Sequence, residues 1–298
     1  MNFHRTVLLQ ETIDLLNVSR GQKYIDGTIG GGGHTEEILK RGGLVLGIDA
    51  DPEALEFVRE RLEAYVKDGR LTLVQGNFRD ILKIAKEKGF AEVSGILLDL
   101  GVSSHQIDTE DRGFSYQKSG PLDMRMDPSY GFRAEDLINL AGKHELHNIF
   151  TKLGEERRSN TVVSGIIRSR RVKAIKTTED LVGVIAEAYG LNKKNLTPML
   201  RAKISKRIFQ ALRMAVNGEL ESLEKALSSV LLLLFSKGRV AVISFHSLED
   251  RLVKDAFVGF SKEGLGTIFT PKPVLPASAE ILENSRSKGA KLRVFERK

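Results

Sequence analysis

Four consecutive glycines, Gly30–Gly33, stand between a strand-like run and a helix-like run in the stretch YIDGTIGGGGHTEEIL, residues 24–39. A strand that turns through glycine into a helix forms a seat for adenosine or phosphate groups, because glycine lets a ligand approach the backbone. Asp49, Phe78 and Asp99 stand at or just after the ends of three later strand-like runs. Ligands of open α/β sheets bind at the carboxyl ends of strands, so these residues predict one small-molecule site.

Two common nucleotide-binding patterns do not match this glycine run. The dinucleotide fingerprint requires glycines at positions i, i+2 and i+5. Counted from Gly30 the third position is Thr35, and one register later it is Glu36. The phosphate loop of ATPases requires Gly-Lys-Ser/Thr, whereas Gly33 is followed by His34. The spacing therefore disfavours NAD and ATP bound by these two routes.

The remaining pattern, D-x-T-x-G-x-G-x-H from Asp26 to His34, looks like the first motif of S-adenosylmethionine-dependent methyltransferases. A carboxylate near the strand tip suits the cationic amino-acid tail of this cofactor, and the glycines would lie against its adenosine and methionine parts. Asp49 would accept hydrogen bonds from both ribose hydroxyls. Phe78 would stack on adenine, and Asp99 would lie where the sulfonium meets the target atom.

The elements that must position these residues alternate regularly along the first hundred residues. Strand-like runs cover residues 23–29, 43–51, 70–78 and 93–102, with helix-like segments between them. Alternation at this spacing predicts a mostly parallel sheet covered by helices, an α/β fold.

The pattern changes after Ser103. Loop-like and helical segments, without a convincing strand, run from about residue 108 to residue 203, and one long helix is predicted over 202–235. A buried strand over 238–246, a helix from SLEDRLVKDAF and a final strand pair from GTIFT and LRVFERK follow. We therefore expect a discontinuous methyltransferase domain, residues 1–107 and 205–298, interrupted by an all-helical insertion, residues 108–204.

Composition narrows the class of protein. With 41% hydrophobic and 29% charged residues the chain reads as soluble and globular, and the lack of cysteine excludes disulfides and Cys-based metal sites. The N-terminus does not resemble a signal peptide, and the longest apolar run, residues 230–235, is too short to span a bilayer. We therefore expect a cytoplasmic protein without a membrane partner. The net charge of +7 favours a polyanionic partner.

Further motifs extend the pattern over nearly the whole chain. They are VLLQE (7–11), DGTIGGGGH (26–34), LLDLGVSSHQ (97–106), RGF (112–114), PLDMRMD (121–127), GEER (154–157), FQALRMAVNGEL (209–220) and SFHSLEDR (244–251). Together they closely resemble the bacterial 16S rRNA (cytosine-N4) methyltransferases. One segment departs from that family, which usually has a His-Pro-Ala-Thr-Arg-Thr-like stretch where this chain has KISKRI, residues 203–208. This chain therefore lacks the Pro and Thr side chains of that stretch and keeps an arginine, Arg207.

The resemblance implies a Rossmann-like class I methyltransferase fold and methyl transfer from S-adenosylmethionine to N4 of cytidine 1402 in the decoding centre of 16S rRNA, within the small ribosomal subunit. Residue matching implies a cofactor site that extends the acids and glycines above. Its members are Asp26, Gly30, Gly32, Gly33, His34, Asp49, Phe78, Asp99 and Gln106. Gln106 comes from the resemblance alone.

Methylation of an exocyclic amine needs a group that accepts its proton, because the lone pair of the amine is delocalised into the ring. Asp99 is the first candidate, and Asp123 and Asp127 are alternatives. Ser103 and Ser104 would hydrogen-bond the base edge. For stacking on the base the candidates are Phe114, Tyr116 and Phe245. No metal is expected.

His246 invites a general-base role in the SFHSLED segment. A structural explanation competes with it, in which Ser247 caps a helix and Asp250 stands at the third helical position. We expect the structural role for this segment.

The target base lies in folded RNA and must be extruded to react. Basic clusters in the insertion and at its border would bind phosphate without reading sequence. The predicted RNA-binding residues are Arg112, Arg125, Arg157, Arg158, Arg170, Arg171, Lys173, Lys206 and Arg207.

Two other functions stay open at this point. One is a non-catalytic RNA-binding factor in ribosome assembly, against which the intact Asp26, Asp49 and Asp99 argue. The other is a methyltransferase acting on N4 of cytosine in DNA, against which the lack of a Pro-Pro-Tyr motif after Asp99 argues.

Overall fold

A computed structural model describes residues 6–298 of the chain. The chain divides into two compact units. The sheet unit runs to Ser103 and resumes at Leu220, and the helical unit covers Ser104–Glu219.

Over residues 6–298 the sheet unit shows seven strands in the order β3-β2-β1-β4-β5-β7-β6. The strands are β1 Lys23–Asp26, β2 Leu44–Asp49, β3 Leu71–Gln75, β4 Val93–Asp99, β5 Leu234–Ser244, β6 Gly266–Ile268 and β7 Lys291–Arg297. Strands β1 to β5 are parallel, and β7 runs antiparallel to both β5 and β6. The predicted mostly parallel α/β sheet and its closing strand pair are therefore confirmed. The strand order reverses beside β1, and such a switch point is where open α/β sheets bind ligands.

Helices precede, follow and interrupt this sheet. They are α1 Leu9–Leu16, α2 Gly33–Lys40, α3 Pro52–Arg61, α4 Glu63–Lys67, α5 Ile81–Glu87, α6 Ser104–Asp108, α7 Ala134–Leu140, α8 Lys143–Lys152, α9 Ser159–Val172, α10 Thr178–Ala188, α11 Pro198–Asn217, α12 Glu219–Leu233, α13 Ser247–Lys262 and α14 Ser278–Glu283. Within residues 104–219 the only β-type pairing is an isolated bridge between Pro121 and Thr177.

Two apolar cores cover the two faces of the sheet. Ile25 belongs to one core and its neighbour Tyr24 to the other, and Ile96 and Leu97 divide in the same way. Successive side chains of a strand point to opposite faces, so continuous apolar strands build both cores at once. This explains why the sequence shows runs of apolar residues instead of alternation.

The predicted single helix over residues 202–235 is wrong. Gly218 adopts a left-handed conformation, with φ of 57°, and separates α11 from α12. Glycine ends helices in this way because it has no Cβ to clash. The division between the units follows this break, whereas the expected border at residues 204 and 205 falls inside α11.

The start of α13 differs from the predicted cap. His246, not Ser247, is the N-cap residue, and its Nδ1 accepts a hydrogen bond from the backbone N–H of Glu249 at 3.3 Å. The Glu249 carboxylate in turn accepts from the N–H groups of Phe245 and His246, at 2.8 and 3.3 Å. The segment is a capping box with histidine in the place of serine.

Asp250, which we expected in this cap, serves the sheet instead. Its carboxylate accepts hydrogen bonds from Lys291 Nζ at 2.9 Å and from Arg293 Nε at 2.6 Å, both on β7. Burial opposes ionisation, but these hydrogen bonds outweigh it and hold the pKa of Asp250 below its usual value.

No helix among residues 6–298 is long and apolar enough to cross a membrane.

Asp250→Ala is expected to lower the free energy of unfolding by about 3 kcal/mol, because it leaves the largely buried Arg293 guanidinium without its carboxylate. Urea denaturation measures this loss. Asp255→Ala, at an exposed position of the same helix, is the matched control and should change the stability by less than about 0.5 kcal/mol. Equal stability of the two variants would contradict the assigned pairing.

Candidate active site

Asp26, at the end of β1, holds the glycine loop together. Its side chain is buried, with Oδ2 accepting a hydrogen bond from Thr35 Oγ1 at 2.7 Å and Oδ1 accepting from the Thr28 N–H at 3.2 Å. Burial raises the pKa of Asp26 to about 6, against the lowering effect of these hydrogen bonds. The carboxylate thereby fixes both ends of the loop, and its predicted contact with the cofactor stays a prediction.

The glycines of this loop are required by its conformation. Gly30 and Gly32 have φ of 49° and 74°, in the left-handed region that other residues rarely adopt. A Cβ at Gly33 would lie 1.8 Å from Thr6 Oγ1, so the backbone is closely covered there. A Cβ at Gly30 would meet nothing nearer than 3.8 Å, which leaves that backbone open to a ligand.

Asp49, at the end of β2, is tied to the same loop. Its Oδ2 accepts from the Gly30 N–H at 2.8 Å, and its Oδ1 accepts from the Asp51 N–H at 2.9 Å. Burial in the surrounding protein raises its pKa to about 6. The carboxylate is held in a single orientation beside the open glycine backbone, as a partner for ribose hydroxyls must be.

Asp99, at the end of β4, carries the least satisfied carboxylate of the site. Its side chain is 10% exposed, and Oδ2 lies 3.7 Å from His34 Nδ1. Its backbone N–H donates to Thr28 Oγ1 at 2.6 Å, whereas Oδ1 receives no hydrogen bond from the described part of the chain. Burial, followed by the charges of Asp26 and Glu249, raises the pKa of Asp99 well above its usual value. Such a carboxylate suits a cation or an amine donor.

Two aromatic residues of the sheet unit lie near glycines that closely follow Asp26 and Asp99 in sequence. Phe78 begins a short helical turn after β3, and its Cβ would lie 3.4 Å from a Cβ added to Gly27 in the glycine loop. The Phe245 ring would lie 3.5 Å from a Cβ added to Gly101, two residues after Asp99. Phe78 therefore remains the candidate for adenine, and Phe245, Phe114 and Tyr116 remain the candidates for stacking on the target base.

The sheet unit thus brings the predicted acids and glycines to neighbouring strand ends and fits S-adenosylmethionine. Open glycine backbone, a fixed carboxylate for hydroxyl groups and a buried carboxylate with a spare acceptor match the chemistry of a cationic nucleoside. Gln106 lies buried in α6 of the helical unit, so its cofactor contact stays a prediction.

The alternative proton acceptors lie in the helical unit and have other partners there. The Asp123 carboxylate accepts hydrogen bonds from Nε and from one terminal nitrogen of Arg125, each at 2.8 Å. Burial opposes ionisation, but these hydrogen bonds hold the pKa of Asp123 below its usual value, which argues against proton acceptance. Asp127 accepts from the Ser129 N–H at 2.8 Å and stabilises a turn. Roles for Ser103, Ser104 and Asp127 stay predictions.

Three of the predicted RNA-binding arginines are occupied within the helical unit. Arg125 also donates to the carbonyl groups of Pro128 and Tyr130. Arg112 donates to two carbonyl groups at 3.0–3.2 Å, and Arg170 donates to the Ile138 and Ala141 carbonyl groups at 2.7 and 2.8 Å, at the end of α7. These three guanidinium groups therefore have internal hydrogen-bond partners, and their predicted contact with RNA stays a prediction.

The remaining members of that set are more accessible. Those exposed at the surface are Arg157, Arg158, Arg171, Lys173, Lys206 and Arg207. Arg158 stacks over the Tyr189 ring at 4.8 Å, and Arg207 donates to the Glu155 carbonyl at 3.1 Å while staying exposed. The departing KISKRI segment lies in α11, where its basic residues face solvent and its isoleucines are buried.

Sequence reasoning missed the residues that hold the site in place. Thr28 and Thr35 bind Asp26, Thr6 covers Gly33, and Glu249 stabilises the turn that carries Phe245. The two threonines stand within or beside the quoted glycine motif, and their spacing from Asp26 was an available signal. Nothing local in the sequence pointed to Thr6.

Comparison with known proteins decides the family. Residues 1–298 match the MraW methylase family. The chain belongs to this family. The family assignment, the methyltransferase activity and the dependence on S-adenosylmethionine predicted above are thereby confirmed.

Curated relatives of this methylase align along almost their whole length. A "Ribosomal RNA small subunit methyltransferase H" of Halothermothrix orenii is 43% identical over 99% of this chain and 98% of its own. A protein of the same name from Thermomicrobium roseum is 42% identical over 99% and 93%, and one from Lachnospira eligens is 40% identical over 99% and 97%.

Cofactor affinity of this methylase should rise with pH. Below about 6 the carboxyl groups of Asp26 and Asp49 hold protons, which removes negative charge and acceptor capacity that a cationic cofactor uses. We expect the dissociation constant to fall about tenfold between pH 5 and 7.5, with proton release near pH 6. Calorimetry in two buffers of different ionisation enthalpy measures both quantities.

The Asp49→Asn variant should bind S-adenosylmethionine more weakly than the wild type, and its dissociation constant should change less with pH. Asp68→Asn, at an exposed carboxylate before β3, should match the wild type. An affinity that does not change with pH in the wild-type protein would refute this account of the acids.

Proposed function

We propose that this methylase transfers a methyl group from S-adenosylmethionine to N4 of cytidine 1402 in 16S rRNA of the small ribosomal subunit. The names of the full-length relatives support small-subunit rRNA as the substrate. The observation that carries the chemistry is Asp99, a buried carboxylate with a spare acceptor atom at the ligand-binding end of β4.

The chain contributes positioning and a base to this reaction. When bound, S-adenosylmethionine supplies a methyl group already activated by its sulfonium. Asp49 and the Gly30 backbone would hold the nucleoside part of the cofactor, and Phe245 would stack on the target cytosine. Asp99 accepts a hydrogen bond from the N4 amine, which localises the nitrogen lone pair. Formation of the N–C bond would be matched by cleavage of the bond between the methyl group and the sulfonium, which leaves as a neutral thioether, and Asp99 would take the proton that N4 loses and pass it to solvent.

The environment of Asp99 suits this role. Burial and the nearby charges of Asp26 and Glu249 raise its pKa, so that its ionised form is a stronger base than an exposed aspartate. Removal of water from the carboxylate also leaves its acceptor atom available to the substrate instead of to bulk solvent.

The helical unit is proposed to bind the RNA. Its exposed cations, among them Arg157, Arg171 and Lys206, would contact phosphate groups, which position the RNA without reading its sequence. Arg158 stacks over the Tyr189 ring, and the outer face of its guanidinium group would offer a base a surface to stack on. The shape of the assembled subunit would then select the site. A cytoplasmic location is proposed together with this substrate.

The two alternative functions are less well supported. A non-catalytic assembly factor would have no need for three carboxylates largely removed from water at strand ends, which cost free energy to keep there. A DNA methyltransferase would share the chemistry, and only the choice of nucleic acid separates it from the proposal.

Asp99→Ala is expected to lower the rate of methyl transfer at least about 100-fold, because it removes the proton acceptor. With the wild-type protein and cofactor labelled in its methyl group, the label should enter small-subunit rRNA and should not enter DNA. Asp99→Asn, which keeps the shape and loses the base, should be equally impaired. Full activity of either variant, or labelling of DNA alone, would contradict the proposal.

Arg157→Ala combined with Lys206→Ala is expected to weaken 16S rRNA binding about tenfold and to lower the salt slope of log K by about 1.5, since each phosphate contact contributes roughly 0.7–0.9. Fluorescence anisotropy over a range of KCl concentrations measures both. The control pair Lys254→Ala and Lys262→Ala removes two cations of α13 in the sheet unit. Equal losses in the two pairs would mean that net charge, not this surface, sets the affinity.

A further inference from the structure

Leu8 has a backbone conformation that is unusual for its residue type. It is fully buried, and its φ and ψ are 53° and 37°, in the left-handed region that favours glycine. Leucine pays a steric cost there, since its Cβ approaches the backbone. Such strain persists only where surrounding contacts impose it, and it often marks a functional position.

The contact that holds Leu8 comes from the other end of the chain. Its backbone N–H donates to Glu280 Oε1 at 2.9 Å, across 272 residues of sequence. Leu8 is the N-cap of α1, where no side chain of the cap supplies a hydrogen bond. Without Glu280 this buried N–H would have lost its acceptor, which is a costly state for a backbone group.

The segment fixed in this way covers the glycine loop. Two residues before Leu8, Thr6 lies so close to Gly33 that a Cβ there would be 1.8 Å from its Oγ1. Val7 and Leu8 pack in the same core cluster as Ile29, which immediately precedes Gly30. Residues 6–8 therefore contact the loop at the backbone of Gly33, and Val7 and Leu8 belong to the apolar core that also contains Ile29.

The segment that carries Glu280 also reaches the other side of the site. Glu280 lies in α14, which leads through a short helical turn, Ser285–Gly289, to β7. A Cβ at Gly289 would lie 2.8 Å from the carbonyl oxygen of Phe245. The connection between β6 and β7 thus contacts both the segment that covers the glycine loop and the turn that follows β5.

We propose that Glu280 is a positioning residue for the cofactor. It acts through Leu8 and Thr6, which hold the glycine loop in the conformation that binds S-adenosylmethionine. Loss of its carboxylate releases Leu8 from the left-handed conformation, withdraws Thr6 from Gly33 and speeds dissociation of the cofactor. The inference concerns the cofactor site alone, so it does not depend on which nucleic acid is methylated.

The test compares Glu280→Ala with the conservative Glu280→Gln. An amide oxygen can still accept from the Leu8 N–H, so we expect Gln to bind S-adenosylmethionine within about twofold of wild type and Ala to bind about tenfold more weakly. Calorimetry gives the affinity, and stopped-flow release of bound cofactor should locate the loss in the dissociation rate. Glu283→Ala, on the same short helix, is the control and should bind as the wild type does.

Hydrogen exchange separates this role from a general loss of stability. In the wild type, cofactor should slow exchange of the amides from Leu8 to Leu16, and Glu280→Ala should abolish this protection while strands β4 and β5 stay protected. Thr6→Ala, which leaves Glu280 in place, should weaken binding without exposing the Leu8 amide. The proposal would be overturned if either Glu280→Ala or Thr6→Ala bound S-adenosylmethionine with wild-type affinity. Equal losses of affinity in Glu280→Ala and Glu280→Gln would overturn it as well.

Discussion

Three carboxylates kept from water at neighbouring strand ends are the constraint on which the site depends. Asp26 and Asp49 are each satisfied by two donors, drawn from the glycine loop and the residues beside it. Asp99 keeps one acceptor atom unused within the described chain. Buried carboxylates that lie near one another raise each other's pKa, which disfavours their ionised forms. Hydrogen bonds from the surrounding loops offset this effect, and they also fix the conformation of those loops. The same hydrogen bonds therefore stabilise the acids and hold the glycine loop in its conformation.

Arginine and lysine residues of the helical unit serve two different purposes. Arg125 and Arg170 donate hydrogen bonds to carbonyl groups of a loop and of a helix end. Such carbonyl groups have no partner within their own loop or helix. Others, such as Arg157 and Lys206, stay at the surface. A net positive charge therefore overstates how many cations are available to a polyanion, and only the exposed ones enter the proposal.

Much of the fold followed from local patterns. Apolar runs marked the parallel strands, and the glycine motif marked the first turn, because both depend on residues close together in sequence. The errors arose where a partner lies far away or where two local rules compete. Gly218 ends a helix although the apolar period continues past it, and Asp250 binds β7 instead of capping its own helix. The carbonyl partners of Arg170 lie about 30 residues away in sequence, so no local pattern indicated them.

The sequence by itself determined the family, the cofactor class and the acids that end the strands, since each rests on short motifs with a local conformational requirement. Only the tertiary structure decided which carboxylate keeps a spare acceptor, which cations stay accessible, and that Glu280 reaches Leu8. Hydrogen bonds and burial depend on neighbours in space. Chain folding brings those neighbours together from positions that no local pattern relates to one another.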